Sequence, residues 1–146
     1  MICMTERIPR VANVFTAARS SAALKPRILC ADDEPLMRHN MVNALSRAGY
    51  NVVGVAGGGE AWELLQAESF DLLITDNDMP GLSGEELIFK IRHHGLTLPV
   101  IVVSAHIDLF RRAEARPLRL AALLQKPFLL RDLVLTTHQI LHATSS

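Results

Sequence analysis

Short apolar runs recur along the chain and alternate with longer segments in which apolar residues follow helical spacing. The runs lie at 27–31, 51–56, 72–74, 99–104 and 120–125. Runs of this length without polar alternation are typical of strands that are covered on both faces. An alternation of such strands with helices predicts an α/β fold built on a parallel sheet.

Five helices are predicted between and after these strands, and local signals define several of their ends. Pro35 suits a first helical turn, and Gly49 is expected to stop the same helix. Ser83 and Glu86 have the spacing of a capping box, so the third helix starts there. The glycine cluster 57–59 is expected to precede the second helix. The other helices are expected at 60–68, about 107–115 and 129–142.

The chain of 146 residues fits one domain with a substantial core. Residues 1–25 show neither a helical stripe nor alternation, so we expect an extension, with a short helix near 14–23 as an option. The domain itself is expected to span 26–146.

The charge balance narrows the classes of partner. Fifteen basic and fifteen acidic side chains cancel, which argues against a general nucleic-acid or anionic-membrane binder. No apolar run approaches the roughly 20 residues that span a bilayer, and no cleavable leader is recognisable. The two cysteines, Cys3 and Cys30, are expected to be free thiols, which indicates a cytoplasmic protein.

Polar side chains follow four of the five predicted strands. Asp32 and Asp33 come after the first, Asp76 after the third, Ser104 after the fourth and Lys126 after the fifth. Each alone has an ordinary explanation as a turn cap, a strand-end hydroxyl or a surface charge. Parallel strands end at one edge of their sheet, where open α/β proteins bind ligands, so we expect these groups to meet there.

Grouped carboxylates repel one another unless a cation compensates them. Mg²⁺, or Mn²⁺ in its place, is the natural hard cation for such oxygen ligands. Asp33 and Asp76 would bind it directly and Asp32 through water. Asp76 could also act as a nucleophile toward phosphorus, with Lys126 neutralising the phosphoryl charge and Ser104 donating to it.

These residues resemble the receiver domain of two-component response regulators. The resemblance rests on the acidic pair at 32–33, the block 76–84 (DNDMPGLSG), Ser104 and the triplet 126–128 (KPF), and it covers about 27–142. It implies a flavodoxin-like (βα)5 fold with strand order 2-1-3-4-5. It also implies phosphorylation of Asp76 by a sensor histidine kinase or a histidine phosphotransfer protein, with Mg²⁺ required.

The same resemblance implies finer roles. The backbone carbonyl of Asp78 would complete the metal site, Ser104 would move toward the phosphoryl group, and the bond between Lys126 and Pro127 would be cis. The family usually has an aromatic residue where this chain has Leu123, so the switch motion is expected to differ here.

Two residues near the acceptor are expected to set the phosphoryl lifetime. Asp78 lies two positions after Asp76 and places a negative charge near an incoming water. His106 lies two positions after Ser104, where family members modulate dephosphorylation.

A basic cluster follows the fourth strand. It comprises Arg111, Arg112, Arg116 and Arg119. Such a run is often only a solvated face. The functional interpretation is a docking surface for an acidic partner, or for a homodimer through the fourth and fifth helices, to which Leu118, Leu129 and Leu135 would add an apolar patch.

The leading interpretation is a stand-alone receiver that controls an unknown partner protein and is not an enzyme beyond its own phosphorylation and slow dephosphorylation. A piece of a larger regulator or hybrid kinase is also compatible. Two alternatives remain open. One is a receiver-like scaffold that signals without phosphate. The other is a haloacid-dehalogenase-like phosphatase, which the spacing of Asp76 and Asp78 imitates, although Pro80 and the third-strand position depart from that motif.

Overall fold

The computed structural model describes residues 24–108 and 118–144, in which five strands and four helices follow one another. The strands are β1 (Arg27–Ala31), β2 (Asn51–Val55), β3 (Leu72–Asp76), β4 (Val100–Ser104) and β5 (Ala122–Gln125). The helices are α1 (Pro35–Arg47), α2 (Gly58–Ala67), α3 (Gly84–His93) and α4 (Leu130–Thr144). The predicted helix at 14–23 lies outside the described residues, and so does the helix at 107–115 except for its first two residues. Over the described ranges, no helix combines the length and the apolar character that crossing a bilayer requires.

All five strands are parallel, and their order is β2-β1-β3-β4-β5, as the resemblance predicted. Every residue of β3 and β4 is buried. The unbroken apolar runs in the sequence are explained by this burial, because helices cover both faces of the sheet.

Alternate residues of each strand contribute to two separate cores. On one face, residues such as Leu29, Leu73 and Val102 pack with the inner sides of α2 and α3. On the other face, Ile28 and Ile74 pack with α1 and α4. The period of two along each strand therefore fixes which helix each side chain contacts.

Two elements begin two residues away from their predicted positions. Strand β5 starts at Ala122 rather than at residue 120. The cause is Arg119, which has a φ of 53° and turns the chain just before the strand. Helix α2 starts at Gly58 rather than at residue 60, so two of the three clustered glycines belong to the helix and not to a loop.

Gly58 permits a close approach between α2 and the segment that precedes α3. A Cβ on Gly58 would lie 2.6 Å from the carbonyl oxygen of Leu82, whereas a Cβ on Gly59 would meet nothing within 4 Å. Only the first of these neighbouring glycines is therefore required by packing.

Arg92 joins the end of α3 to the chain on either side of the undescribed segment 109–117. Its guanidinium donates to the carbonyl oxygens of Leu96 (3.0 Å), Leu98 (2.8 Å), Leu118 (2.9 Å) and Arg119 (3.1 Å). Burial, with the charge of Arg119 as a second cause, lowers the pKa of Arg92. Because these contacts hold residue 118 inward, Leu118 is only 4% exposed.

The burial of Leu118 contradicts the apolar surface patch that the sequence suggested. Leu129 and Leu135 are 53% and 56% exposed, so these two residues alone remain from that set as surface groups.

The contrast between the two glycines gives a matched pair of variants. Gly58→Ala is expected to lower the free energy of unfolding by about 1–3 kcal/mol, because the new methyl group overlaps a backbone carbonyl that cannot rotate away. Gly59→Ala is expected to leave it unchanged or to raise it by about 0.5 kcal/mol, because alanine restricts the unfolded chain. Urea denaturation measures both. Equal effects of the two substitutions would contradict this packing argument.

Candidate functional site

Three carboxylates meet where the neighbouring strands β1 and β3 end. Asp32 and Asp33 follow β1, Asp76 is the last residue of β3, and each offers an oxygen within 4.8 Å of the others. The parallel register pairs Ala31 with Thr75, so the chain positions that follow are side by side. Asp32 and Asp76 are buried and Asp33 is exposed.

One ammonium group faces the two buried carboxylates. Lys126, directly after β5, places its Nζ 3.3 Å from Oδ1 of Asp76 and 3.7 Å from Oδ2 of Asp32. The backbone N–H of Lys126 donates to the carbonyl oxygen of Ser104 at 2.9 Å, and the peptide bond to Pro127 is cis. Lys126 is thus held from its backbone while its side chain reaches across the ends of β4 and β3.

The ammonium does not balance the negative charge of the pocket. Burial raises the pKa of Asp32, and the charges of Asp33 and Glu34 raise it further, against the Glu34 backbone N–H and Lys126. Burial also raises the pKa of Asp76, and the charge of Asp32 adds to this, against Lys126 and the backbone N–H of Asp78. The ionised form of each buried carboxyl is therefore disfavoured in the absence of a further cation.

The pocket fits a metal ion by the chemistry of its donors. Oδ2 of Asp32 is buried and has no hydrogen-bond partner among the residues that the structure describes. Its other oxygen already accepts from the Glu34 backbone N–H at 2.9 Å. A buried carboxylate oxygen beside two further carboxylates is a ligand set that hard divalent cations bind. The three residues can hold such an ion.

Ser104 ends β4, next to β3, and is buried at the same edge of the sheet. Its Oγ accepts a hydrogen bond from the backbone N–H of His106 at 2.9 Å. His106 and Asp78 are both exposed, in the loops that follow β4 and β3. The backbone N–H of Asp78 lies 3.4 Å from Oδ1 of Asp76, which makes Asp78 a neighbour of the acceptor through its main chain.

The loop after Asp76 is fastened to the start of α3 by contacts that the sequence analysis did not identify. The Asn77 side-chain oxygen accepts from the Glu85 backbone N–H at 3.0 Å, and its carbonyl oxygen accepts from the N–H of Gly84 at 3.1 Å. A Cβ on Gly84 would lie 2.6 Å from the carbonyl oxygen of Asp76. The sequence signal for this close approach was a glycine in the first turn of a helix, directly after a block of turn-forming residues.

Arg38 is a second residue that the sequence analysis missed. It lies on α1, and its Nη1 donates to the carbonyl oxygen of Asp32 at 2.9 Å. This bond fixes the backbone of a metal-binding candidate from the neighbouring helix. A single arginine on a helix carries no local sequence signal for such a contact.

Only some of the remaining predicted site residues lie in the part of the chain that the structure describes. Arg119 is exposed, whereas Arg111, Arg112 and Arg116 lie outside the described residues. Leu123, which stands where the resemblance implied an aromatic side chain, is half-buried and packs in the core beneath α2 and α3.

Comparisons with known proteins agree with this geometry. The model of the response regulator receiver domain family matches residues 28–138. The chain is 39% identical over 108 residues to the response regulator receiver protein CpdR of Brucella abortus, covering 74% of this chain and 90% of CpdR. It is 35% identical over 116 residues to the transcriptional regulatory protein PdtaR of Mycobacterium tuberculosis, covering 79% of this chain and 56% of PdtaR.

A solved structure shows the same fold with a bound ligand. It is the response regulator protein TrrA of Thermotoga maritima in complex with Mg²⁺ and BeF, which aligns with a TM-score of 0.70 and 28% identity. The alignment covers 79% of this chain and 98% of that one.

The unbalanced charge predicts that removing one carboxylate stabilises the metal-free protein. In Asp76→Asn, the free energy of unfolding at neutral pH is expected to rise by about 1 kcal/mol, because burial raises the pKa of Asp76 and makes its ionised form costly. Asp71→Asn is the control, because it removes a carboxylate that is exposed rather than buried and that accepts a hydrogen bond from the Arg27 backbone N–H at 2.7 Å. Urea denaturation in EDTA measures the free energy of unfolding of both variants. A loss of stability in Asp76→Asn would contradict the expected repulsion.

Proposed function

The chain belongs to the response regulator receiver domain family, and on this premise we propose that it is a phosphoacceptor signalling module whose acceptor is Asp76. The single observation that supports this most strongly is the position of Asp76, buried between a lysine ammonium at 3.3 Å and two further carboxylates. A nucleophilic carboxylate with cationic support is what phosphoryl transfer to a side chain requires.

In the proposed reaction, a carboxylate oxygen of Asp76 attacks the phosphorus of a phosphohistidine. A P–O bond forms while the P–N bond breaks, and the electron pair of that bond leaves with the imidazole. The donor is a sensor histidine kinase or a histidine phosphotransfer protein. The Lys126 ammonium, already beside Asp76, neutralises charge on the phosphoryl oxygens, and the Ser104 hydroxyl donates to one of them after giving up its present bond with the His106 N–H.

We assign Mg²⁺ as the ion for the acidic cluster, with Mn²⁺ as a substitute. Asp33 and Asp76 would bind it directly, Asp32 through water, and the backbone carbonyl of Asp78 would complete the set. The buried oxygen of Asp32 that lacks a hydrogen-bond partner supports this assignment, as does the Mg²⁺ bound to TrrA. When bound, the ion supplies the positive charge that one ammonium cannot supply for three carboxylates.

We propose that phosphorylation of Asp76 changes the surface formed by the segment 107–115 and α4, and that this change is the output signal. Movement of Ser104 toward the phosphoryl group would pull on the chain that follows β4, and the basic cluster Arg111, Arg112, Arg116 and Arg119 would meet an acidic partner protein. Alternatively, the same surface would form a homodimer.

Arg92 binds the carbonyl oxygens of Leu118 and Arg119, just after this segment, so the chain at residues 118–119 would stay in place while the segment moves.

We take residues 26–146 as the receiver unit and residues 1–25 as an extension. The unit is not an enzyme for external substrates: it accelerates only its own phosphorylation and a slow self-dephosphorylation. Cys30 is a free, buried thiol, which suits the reducing cytoplasm where we place the protein. The wide match with CpdR supports a receiver that acts alone, and the match with 56% of PdtaR equally suits a receiver within a longer regulator.

Acetyl phosphate and Mg²⁺ test the proposal directly. Intact-protein mass spectrometry is expected to show one added phosphoryl group on the wild-type chain, and none on Asp76→Asn or in EDTA. Steady turnover of phosphate esters without a stable adduct would instead indicate a phosphatase. No modification under any condition would indicate a scaffold that signals without phosphate, and either result would overturn the proposal.

Asp78 and His106 are proposed to set the lifetime of the phosphoryl group. Asp78→Asn is expected to slow dephosphorylation by roughly three- to tenfold, because the exposed carboxylate can accept a hydrogen bond from the attacking water. His106→Ala is expected to accelerate it, because the exposed imidazole beside Ser104 obstructs the approach of water. Single-turnover decay of the phosphorylated protein measures both rates. Rates equal to wild type in both variants would remove this role.

A further inference from the structure

The outward face of α3 carries an aromatic pair that the proposed function does not use. Phe89 is 56% exposed, and the His93 ring lies parallel to it, with the ring centroids 6.1 Å apart and an interplanar angle of 10°. A surface groove of about 660 Å³ runs along this face. Its lining residues are Leu82, Glu85, Glu86, Phe89, Lys90, His93 and His94.

The basic end of this face is held in place by the neighbouring helix. The Lys90 ammonium lies 5.6 Å from the ring centroid of Trp62 on α2, and the His94 ring packs against Trp62 at an interplanar angle of 64°, with the ring centroids 4.8 Å apart. His94 also contacts the Lys90 carbonyl oxygen through Nδ1 at 2.9 Å. Side chains that are already ordered lose little entropy when another molecule binds to them.

The charges on this face are separated along the helix axis. Glu85 and Glu86 lie before Phe89, and Lys90 and His93 lie after it. Hydrogen bonds from the Ser83 N–H and hydroxyl lower the pKa of Glu86, so its carboxylate remains ionised. Glu85 and His93 stand four positions on either side of Phe89. A second helix with the same sequence, laid antiparallel across Phe89, would therefore place Glu85 of each copy opposite His93 of the other.

We propose that a second copy of this chain docks on this face, in a two-fold contact between antiparallel α3 helices with the two Phe89 side chains at the axis. A two-fold interface requires a self-complementary surface, and this separation of charge about a central aromatic residue provides one. A partner with another sequence would have to reproduce the same arrangement, whereas a second copy carries it necessarily.

The size of the surface indicates a weak and reversible dimer. Helix α3 has ten residues and is about 15 Å long, so the contact is smaller than the roughly 800 Å² per partner of a standard interface. Dimerisation is therefore expected at high micromolar concentration. It does not depend on the proposed function, because no residue of the acidic site takes part, and Asp76→Asn is expected to dimerise like the wild type.

Sedimentation velocity between about 10 µM and 1 mM tests the contact, since weak interfaces of this size associate in that range. Wild type is expected to show a concentration-dependent dimer that Phe89→Ser weakens at least tenfold. Leu36→Ser on α1 is the matched control, because Leu36 is also exposed, at 65%, and lies on neither proposed interface; it is expected to dimerise like wild type. A wild type that stays monomeric, or a dimer that Leu36→Ser weakens and Phe89→Ser does not, would overturn the proposal.

A charge-exchange experiment tests the antiparallel arrangement separately. His93→Glu should weaken self-association, because its homodimer would place two carboxylates opposite one another. Glu85→Lys should also weaken it, because the carboxylate that faces His93 of the second copy would be lost. An equimolar mixture of the two variants should associate again, because the carboxylate introduced at position 93 would then face the ammonium introduced at position 85. Circular dichroism confirms that both variants are folded. A mixture that associates no better than either variant alone would exclude this geometry.

Discussion

The Lys126 ammonium lies 3.3 Å from Asp76 and 3.7 Å from Asp32, and it is the only cationic side chain in an ion pair with these buried carboxylates among the described residues. Charges buried together are costly unless they are paired, and here the pairing is incomplete. Burial raises the pKa of both carboxyls in spite of the lysine. A site with this deficit is suited to hold a cation, and the proposed phosphoryl transfer to Asp76 depends on that property.

The scaffold maintains this costly arrangement from several sides. The register of β1 with β3 sets the two buried carboxylates next to each other. Arg38 fixes the backbone of Asp32, and Asn77 and Gly84 fasten the loop after Asp76 to α3. The rest of α3 then leads to Arg92, which binds the chain on both sides of the segment 109–117. A continuous series of contacts thus runs from the acceptor through α3 to Leu118 and Arg119, just after the segment 109–117.

Much of the fold could be predicted because it depends on local patterns. Apolar runs identified all five strands, and the capping box at Ser83 and Glu86 identified the start of α3, with both of its hydrogen bonds present. The grouping of Asp32, Asp33 and Asp76 followed from parallel topology alone. These features need only the sequence within one element and the rule that parallel strands end at one edge.

The features that escaped prediction depend on partners far away in the sequence. The need for Gly58 comes from a carbonyl group on Leu82, and no local signal distinguishes Gly58 from Gly59. The acceptors of Arg92 include residues 26 and 27 positions away, and they bury Leu118, which sequence alone suggested was exposed. The stacking of Phe89 with His93 was likewise unforeseen, because Phe89 was an ordinary residue in the helical pattern until its exposure was known.

Titration calorimetry with Mg²⁺ tests the central electrostatic claim most directly. The charge deficit predicts that the wild-type chain binds one ion per molecule at neutral pH, and that Asp33→Asn, which alters the exposed ligand and leaves both buried carboxylates and Lys126 in place, loses most of this binding. If the wild-type chain bound no Mg²⁺ at millimolar concentration, or if Asp33→Asn bound it as tightly, the three carboxylates would not form a cation site and the claim would be contradicted.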